Sequence, residues 1–285
     1  MTVLDVIQRS TEFLEKKSVE SPRLQAELLL AHLLKLKRMQ LYLNFERELA
    51  ESELNAFRAM VRRRGEREPL QYIIGNVSFC GFEIRVSSGV LIPRPETEML
   101  AEQGWTFLSR LPAKNLATAL DFGTGSGCLA IALASKCDGS QVEALDVSSE
   151  ALAVARKNAE DHGLEKRIHF TQGDSLCALQ KQSSFDLIIS NPPYIPTKEI
   201  ETLQPEVRDF EPHAALDGGS DGLNYFRQFA TQAQSFLKPG GQLILEFGDS
   251  QFEAIREIFQ AQNWIVMSVQ NDYHQRPRII TVRNT

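Results

Sequence analysis

The chain has 285 residues, of which 42% are hydrophobic and 24% are charged, and its net charge is −6 at neutral pH. These proportions are typical of a globular protein with one large domain, or with a domain of about 200 residues and a smaller one. No apolar run reaches the ~18 residues of a membrane span, and the acidic balance argues against a dedicated nucleic-acid binder. The N-terminus lacks the basic and apolar stretches of a signal peptide, so we expect a cytoplasmic protein.

The first 67 residues carry helical signals. Ser21 and Pro22 are typical of an N-cap and a first helical position, and they predict a helix that runs to Leu34. We therefore expect residues 1–67 to form a small helical bundle that packs on a partner or on the main domain. The basic triplet Arg62–Arg64 has glutamates nearby, which favours a solvated helix end over a nucleic-acid contact.

A short β segment follows the bundle. Glu68-Pro69 ends the helical pattern, and the alternation in Phe82–Val86 predicts a half-buried strand between glycines. We expect a β-hairpin linker over residues 68–93. Pro95 and the acidic residues after it predict a helix that runs to about Leu111.

From Leu116 onward, strand and helix patterns alternate, which predicts a doubly wound parallel sheet. The predicted parallel strands are Thr118–Phe122, Val142–Asp146, Ile168–Gln172, Phe185–Ser190 and Gln242–Phe247. The predicted helices lie at about 127–136, 149–162, 223–237 and 251–262, with a turn at Lys238–Gly241. Trp264–Val269 and Ile279–Val282 are expected to add an antiparallel hairpin at the edge, so the α/β domain over residues 94–285 has seven strands.

A glycine-rich turn, Gly123-Thr124-Gly125-Ser126-Gly127, joins the first of these strands to its helix. Glycine suits places where a ligand lies against the backbone or where φ is positive. The dinucleotide pattern G-x-G-x-x-G is broken because its sixth position is Cys128, and the phosphate-binding loop is missing because no lysine follows the turn. The turn therefore argues against NAD or FAD; its alternative interpretation is a tight turn without a ligand.

Acidic residues follow the turn at the ends of the next strands. Asp146 ends the second strand, where a carboxylate accepts hydrogen bonds from ribose hydroxyls in dinucleotide folds. Asp174 and Ser175 follow the third strand and are within reach of an adenine amino group. With the glycine turn, they predict a nucleoside cofactor without a pyrophosphate, and S-adenosylmethionine fits that description. Glu96 and Thr97 either close over this cofactor or cap a helix.

The segment Asn191-Pro192-Pro193-Tyr194 directly follows the apolar strand Phe185–Ser190. Two prolines cannot continue a sheet, so the strand stops at the edge where ligands of open α/β sheets bind. An amide, a proline carbonyl and an aromatic ring at this point suit a planar substrate amino group. The alternative is an ordinary strand-ending turn.

The cysteines and histidines show no metal pattern. The four cysteines have no C-x-x-C spacing, so we expect reduced thiols. His162 and His169 are separated by Gly163, which argues against a shared helical face. We predict no metal site.

This set of motifs resembles the class I S-adenosylmethionine-dependent methyltransferases with an Asp/Asn-Pro-Pro-aromatic motif, which act on adenine N6, guanine N2 or glutamine N5. Over nearly the whole chain, the sequence resembles more closely the glutamine methyltransferases of peptide release factors (the PrmC/HemK family). The segments that carry this resemblance are Pro69–Gly75, Ile92–Glu98, Asp121–Gly127, Ser190–Ile195, Phe210–Pro212 and Gly218–Leu223. Phe122 and Ser175 depart from residues that are common in the family.

The resemblance implies a Rossmann-like enzyme that transfers a methyl group from S-adenosyl-L-methionine, leaving S-adenosyl-L-homocysteine. The resemblance also implies that the acceptor is N5 of the glutamine in a Gly-Gly-Gln loop of class I peptide release factors, and that the helical bundle docks on the release factor. The implied cofactor contacts are Gly123, Thr124, Gly125, Ser126, Gly127, Asp146, Asp174, Ser175 and Asn191. The implied substrate contacts are Asn191, Pro192, Pro193 and Tyr194, with Asn191, Pro192 and Tyr194 as catalytic residues.

Two other functions stay open from the sequence. A nucleic-acid methyltransferase acting on adenine N6 or guanine N2 shares the fold and the Asn-Pro-Pro-Tyr motif, but it usually has a basic face. The acidic charge and the segment Pro93–Glu98 disfavour it. A cofactor-binding module without activity is disfavoured because Asp146 and Asn191–Tyr194 are intact. We expect a monomer with no nucleic-acid substrate and no membrane contact.

Overall fold

The structure is a computed structural model that describes residues 1–112, 116–179 and 184–285. This part of the chain forms two compact units, one from Met1–Asn76 with Gln204–Phe210 and one from Val77–Leu203 with Glu211–Thr285. The domain boundaries expected after residues 67 and 93 stay a prediction.

The described helices are α1 (Val3–Lys16), α2 (Pro22–Leu34), α3 (Arg38–Tyr42), α4 (Glu51–Gly65), α5 (Leu70–Ile74), α6 (Pro95–Ser109), α7 (Cys128–Lys136), α8 (Ser149–Asp161), α9 (Pro205–Arg208), α10 (Asn224–Gln232) and α11 (Phe252–Ala261). The described strands are β1 (Asn76–Phe79), β2 (Phe82–Arg85), β3 (Thr118–Phe122), β4 (Gln141–Asp146), β5 (Ile168–Gln172), β6 (Phe185–Ser190), β7 (Leu237–Glu246), β8 (Trp264–Asn271) and β9 (Pro277–Asn284). Among the helices of the described ranges, none combines the length and the apolar character that crossing a bilayer requires.

The first unit is helical, as predicted, and Phe57 of α4 lies in its buried core. Thr2 caps α1 by accepting a hydrogen bond from the Asp5 N–H at 3.2 Å. Pro22 starts α2 and Ser21 takes the N-cap position, both as predicted, but the Ser21 side chain does not cap the helix. The φ of Ser21 is 49°, and its side chain accepts no capping hydrogen bond from the described residues. A capping side chain needs extended backbone at this position to direct its oxygen at the first helical N–H groups.

Strands β1 and β2 pair as the predicted hairpin. The turn between them is Cys80-Gly81, with φ of 51° and 85°. Two positive φ values in a two-residue connection match the right-handed twist of the flanking strands, which fixes the pairing of this hairpin.

The second unit contains a seven-stranded sheet in the order β5-β4-β3-β6-β7-β9-β8. Strands β3 to β7 run parallel, whereas β9 is antiparallel to both β7 and β8. This arrangement confirms the predicted α/β fold with a hairpin at the edge. From β3 the sheet continues to β4 and β5 on one side and to β6 and β7 on the other. The strand order therefore reverses between β3 and β6. Open α/β sheets bind ligands at this reversal, outside the carboxyl ends of the strands.

The apolar run in β6 is explained by burial on both faces of the sheet. Leu187, Ile188 and Ile189 are each fully buried. Leu187 and Ile189 belong to one hydrophobic cluster, and Ile188 belongs to another. Parallel strands covered on both faces have such continuous apolar sequences, so this strand positions Asn191 on a rigid support.

The predicted turn at Lys238–Gly241 is wrong, because these residues lie within β7. The register steps from Leu237 opposite Phe185 to Gln242 opposite Leu187, so the segment forms a bulge in the strand. Proline and glycine suit a bulge, where a ladder N–H is not needed and where φ can be positive.

Candidate active site

A cavity of about 250 Å³ opens in the second unit at the carboxyl ends of β3, β4 and β6. Six of the predicted site residues line it: Gly123, Gly125, Asp146, Asp174, Asn191 and Pro193. The other walls were not predicted as site residues, and they are residues 88–91, Phe122, Leu145, Val147, Ser148, Glu150, Ala151, Gly173, Pro212, Ala214, Ala215 and Tyr225. Most of these walls are small or apolar residues, whose side chains give no sign of a ligand site in the sequence.

Gly123 and Gly125 expose the backbone of the glycine turn to this cavity. Their φ values are 71° and 54°, in the left-handed region that favours glycine. A Cβ atom on Gly123 would meet no described protein atom within 4 Å, so the missing side chain leaves open space on the wall. The turn therefore lets a ligand lie directly against its backbone.

The other three residues of the turn hold it in place. The Thr124 hydroxyl donates to the buried Asp121 carboxylate at 2.6 Å, and the Ser126 carbonyl accepts from Asn158 at 2.8 Å. A Cβ atom on Gly127 would lie only 3.1 Å from a side chain of α8. These residues contact the strand and helix behind the turn and do not line the cavity in the described part of the chain.

Asp146 links the glycine turn to the next loop. Its Oδ2 accepts a hydrogen bond from the Gly125 N–H at 2.8 Å, and its Oδ1 accepts one from the Ser148 N–H at 2.9 Å. Each carboxylate oxygen can accept a second hydrogen bond, so the group can also serve ligand hydroxyls. Asp174 lies exposed on the cavity wall, whereas Ser175 precedes a short 3₁₀ turn outside that wall.

Asn191 lines the cavity and is held from behind by two buried side chains. Its Nδ2 donates to the Thr97 hydroxyl at 3.1 Å, and this hydroxyl donates to Glu246 Oε2 at 2.8 Å. Pro192 is buried, and the Tyr194 hydroxyl donates to Glu246 Oε1 at 3.5 Å. Because Nδ2 faces Thr97, the Asn191 Oδ1 is the amide atom that faces away from it.

Burial controls the protonation of the two acidic groups behind Asn191. It raises the pKa of Glu246 to about 7, against the opposing effects of the Thr97 hydrogen bond and the Arg278 charge. Burial also raises the pKa of Tyr194, and the Glu246 charge adds to that rise. Tyr194 is therefore a hydrogen-bond donor at neutral pH.

A glycine segment, residues 218–222, supports the Asn-Pro-Pro-Tyr loop from its far side. The Gly218 N–H donates to the Ile195 carbonyl at 2.9 Å. Gly222 has a φ of 76°, and a Cβ atom there would lie 2.2 Å from the Tyr194 carbonyl oxygen. The backbone of this segment thus approaches the loop as closely as only glycine allows.

An ion pair joins two walls of the cavity. The Arg94 guanidinium donates to Glu211 Oε1 at 2.6 Å, and the Ile92 N–H donates to Glu211 Oε2 at 3.3 Å. Burial raises the pKa of Glu211, and the Arg94 charge opposes this rise. Arg94 and Glu211 both lie in segments that carry the family resemblance. Apart from their opposite charges, nothing in the sequence indicates that they form an ion pair.

Metal and disulfide chemistry find no support in the described residues. Within residues 1–112, 116–179 and 184–285, no three His, Cys, Asp or Glu side chains are grouped to hold a metal ion. The cysteines Cys80, Cys128, Cys137 and Cys177 are free thiols.

Two family models match the chain: "PrmC N-terminal domain" over residues 5–75 and "Methyltransferase small domain" over residues 102–206. A release factor glutamine methyltransferase from Geobacter sulfurreducens is 46% identical over 258 residues, which cover 90% of this chain and 88% of the relative. A protein of the same name from Chlorobaculum tepidum is 43% identical over 285 residues, or 97% of this chain and 95% of the relative. The chain belongs to the release factor glutamine methyltransferase family.

Solved structures similar to this member of the family share its methyltransferase fold. A methyltransferase from Pyrococcus furiosus matches with a TM-score of 0.53 and 21% identity, over 71% of this chain and 89% of that chain. A human methyltransferase 10 domain containing protein matches with a TM-score of 0.52 and 17% identity, over 70% of this chain and 88% of that chain. At these identities the likeness concerns the fold alone.

Proposed function

We propose that the protein transfers a methyl group from S-adenosyl-L-methionine to N5 of the glutamine in the Gly-Gly-Gln motif of class I peptide release factors. The observation that carries this proposal is that Asn191 lines the same cavity as Gly123 and Asp146. An acceptor for a planar amide therefore stands beside a site suited to a nucleoside cofactor. The names of the relatives support the release factor as substrate. We propose a monomer that acts in the cytoplasm, where translation occurs.

The cavity suits S-adenosyl-L-methionine. Gly123 and Gly125 present bare backbone for the methionine part, and Asp146 retains acceptor capacity for the ribose hydroxyls. Asp174 stands on the wall for the adenine amino group. Once bound, this cofactor supplies an electrophilic methyl group on its sulfonium sulfur.

The acceptor nitrogen of the substrate amide is a weak nucleophile, because its lone pair is delocalised into the amide carbonyl. In our proposal, the Asn191 Oδ1 and the Pro192 carbonyl accept hydrogen bonds from the two N–H groups of the substrate amide. These bonds orient the nitrogen and stabilise the positive charge that develops on it. The Tyr194 ring packs over the amide and excludes water. The C–N bond would form as the methyl–sulfur bond breaks, and the nitrogen would afterwards lose its proton to water or to a carbonyl.

The test incubates the full chain with S-adenosyl-L-methionine and a purified class I release factor. We expect the Gly-Gly-Gln peptide to gain the mass of one methylene group, located on glutamine by tandem mass spectrometry. A release factor with asparagine in place of that glutamine is the matched control and should gain nothing. Methylation of DNA or RNA without methylation of the release factor would overturn the proposal.

A further inference from the structure

Asn191, Thr97 and Glu246 form a linear chain of hydrogen bonds, which we call the amide relay. Thr97 and Glu246 are buried polar residues, 3% and 1% exposed. Neither of them lines the cavity of the described structure. The Asn191 Nδ2 lies 3.1 Å from the Thr97 hydroxyl, which lies 2.8 Å from Glu246 Oε2. Such burial costs free energy unless each group is hydrogen-bonded, so the relay is strongly constrained.

Counting donors fixes the direction of the relay when Glu246 is ionised. A carboxylate only accepts hydrogen bonds, so the single proton of the Thr97 hydroxyl must point to Glu246. The Thr97 oxygen is then left as an acceptor, and only the Nδ2 of Asn191 can donate to it. The amide of Asn191 is thereby locked with its Oδ1 away from Thr97, which is the atom that accepts from a substrate N–H.

Protonation of Glu246 removes this constraint. The protonated carboxyl donates to the Thr97 oxygen, and the Thr97 proton is released to point at Asn191. The Asn191 amide then gains a competing orientation, turned by half a rotation, with Oδ1 on Thr97 and Nδ2 toward the cavity. In that orientation a donor faces the donor groups of the substrate amide, and the substrate is not held.

Charged and titratable groups face Glu246 from each element packed against it. Glu96 on α6 favours the protonated form, and Arg278 on β9 favours the ionised form. Tyr194, after β6, donates to the other carboxylate oxygen at 3.5 Å. Burial dominates and raises the pKa of Glu246 to about 7, so both protonation states occur near neutral pH.

We propose that Thr97 and Glu246 are positioning residues that lock the Asn191 amide in its substrate-accepting orientation, and that protonation of Glu246 releases the lock. The proposal rests on the proposed function for what Asn191 binds, but the lock itself is a property of this chain.

The kinetic test compares variants at saturating S-adenosyl-L-methionine with a release factor as substrate. Thr97→Val removes the hydroxyl and should lower kcat about tenfold or more, while the Kd for S-adenosyl-L-methionine changes less than about threefold. Thr97→Ser retains the hydroxyl and should restore kcat to within about threefold of the wild type. The matched control is Thr281→Val, since the buried Thr281 hydroxyl donates to Gln103 and not to the relay. A Thr97→Val protein with wild-type kcat would overturn the proposal.

The pH profile separates positioning from plain structural support. Wild-type kcat should fall as the pH drops through about 7, the pKa of Glu246. Glu246→Gln cannot ionise and, like the protonated carboxyl, offers Thr97 a donor as well as an acceptor, so its kcat should be low and flat over the same range. An acidic limb that persists unchanged in Glu246→Gln would contradict the role of Glu246.

A measurement without substrate distinguishes failure of the lock from failure of the proposed function. The side-chain amide signals of Asn191, assigned by their loss in Asn191→Ala, should shift in ¹⁵N–¹H spectra with a midpoint near pH 7 in the wild type, and not in Glu246→Gln. If these signals titrate as expected but the release factor is never methylated, the proposed function fails and the lock stands. If the release factor is methylated but the signals do not titrate, the lock fails and the function stands.

Discussion

At the scale of single residues, Asn191 has two different neighbours: a buried hydroxyl behind it and the cavity in front. Its Nδ2 is used by the fold, and its Oδ1 is used by the proposed reaction. Truncation of this side chain therefore removes one hydrogen bond of the folded protein and one interaction with the reacting amide. The second loss is the larger in kinetic terms, because it acts where charge develops.

For Asn191→Ala, we expect kcat to fall roughly 100-fold, equivalent to ~2.7 kcal/mol of transition-state stabilisation. The Kd for S-adenosyl-L-methionine should change less than about threefold, since Gly123, Gly125 and Asp146 remain. Isothermal titration and single-turnover methylation measure the two quantities. Asn271→Ala, on the exposed edge strand β8, is the control and should leave both unchanged. Retained turnover in Asn191→Ala would refute the role of its oxygen.

At the scale of elements, the glycine segment 218–222 and the end of β6 together fix the Asn-Pro-Pro-Tyr loop. Strand β6 holds the start of the loop in the sheet, and Gly218 and Gly222 approach its end. Rigid supports on both sides hold the proposed catalytic group, Asn191, within the narrow geometric range that positioning requires.

Gly222→Ala should displace the loop, because its Cβ would lie 2.2 Å from the Tyr194 carbonyl oxygen. We expect at least a ~tenfold loss of kcat together with a lower thermal midpoint. Gly163→Ala is the matched control: its φ of 67° carries similar backbone strain, but no described atom lies within 4 Å of the new Cβ. That control should lower the midpoint and leave kcat unchanged. Equal kinetics in the two variants would show that the loop does not depend on the glycine segment.

The alternation of strands and helices was predictable from the sequence, because it depends on residues close together in the chain. The turn at Gly123–Gly127 and the strand before Asn191 were predictable for the same reason. The relay was not, since Thr97 and Glu246 are 149 positions apart and meet only in the folded sheet. The bulge at Lys238–Gly241 was not predicted, because proline and glycine are common both in turns and in bulges.

At the scale of the whole molecule, the chain passes from one compact unit into the other more than once. Gln204–Phe210 belongs to the same unit as Met1–Asn76, although it lies between two segments of the second unit. Glu206 on this segment accepts hydrogen bonds from Arg64 at 2.6 Å and from Arg67 at 2.6 and 2.8 Å. The buried guanidinium of Arg64 in the first unit is therefore paired with a carboxylate, Glu206, that lies far along the chain.

Glu206→Gln should lower the free energy of unfolding by about 2–4 kcal/mol at neutral pH, because the buried Arg64 loses its counter-charge. Burial raises the pKa of Glu206, but the hydrogen bonds from Arg67 and Arg64 outweigh it and lower the pKa below its ordinary value of 4.5. A lowered pKa stabilises the fold above the unfolded pKa, and this contribution is lost as the pH falls through the folded value. The difference between wild type and variant, measured by urea unfolding, should therefore shrink below about pH 4.5.

The exposed carboxylate of Glu201 provides the control for that series. Glu201→Gln should change the urea midpoint little at any pH, since exposed charges contribute little to stability. A Glu206→Gln protein as stable as this control would mean that the Arg64 charge is compensated elsewhere.

Asp146 already holds the glycine turn through the Gly125 N–H and the following loop through the Ser148 N–H, before any ligand arrives. Replacing Asp146 therefore removes two hydrogen bonds of the folded protein together with the proposed ribose contact, and the two losses are not additive. The binding free energy that the proposed ribose contact contributes is instead measured by removing a hydroxyl from the ligand. A deoxyribose analogue of S-adenosyl-L-methionine, compared with the parent compound on the wild-type protein, leaves the turn intact and measures the proposed hydroxyl contact alone.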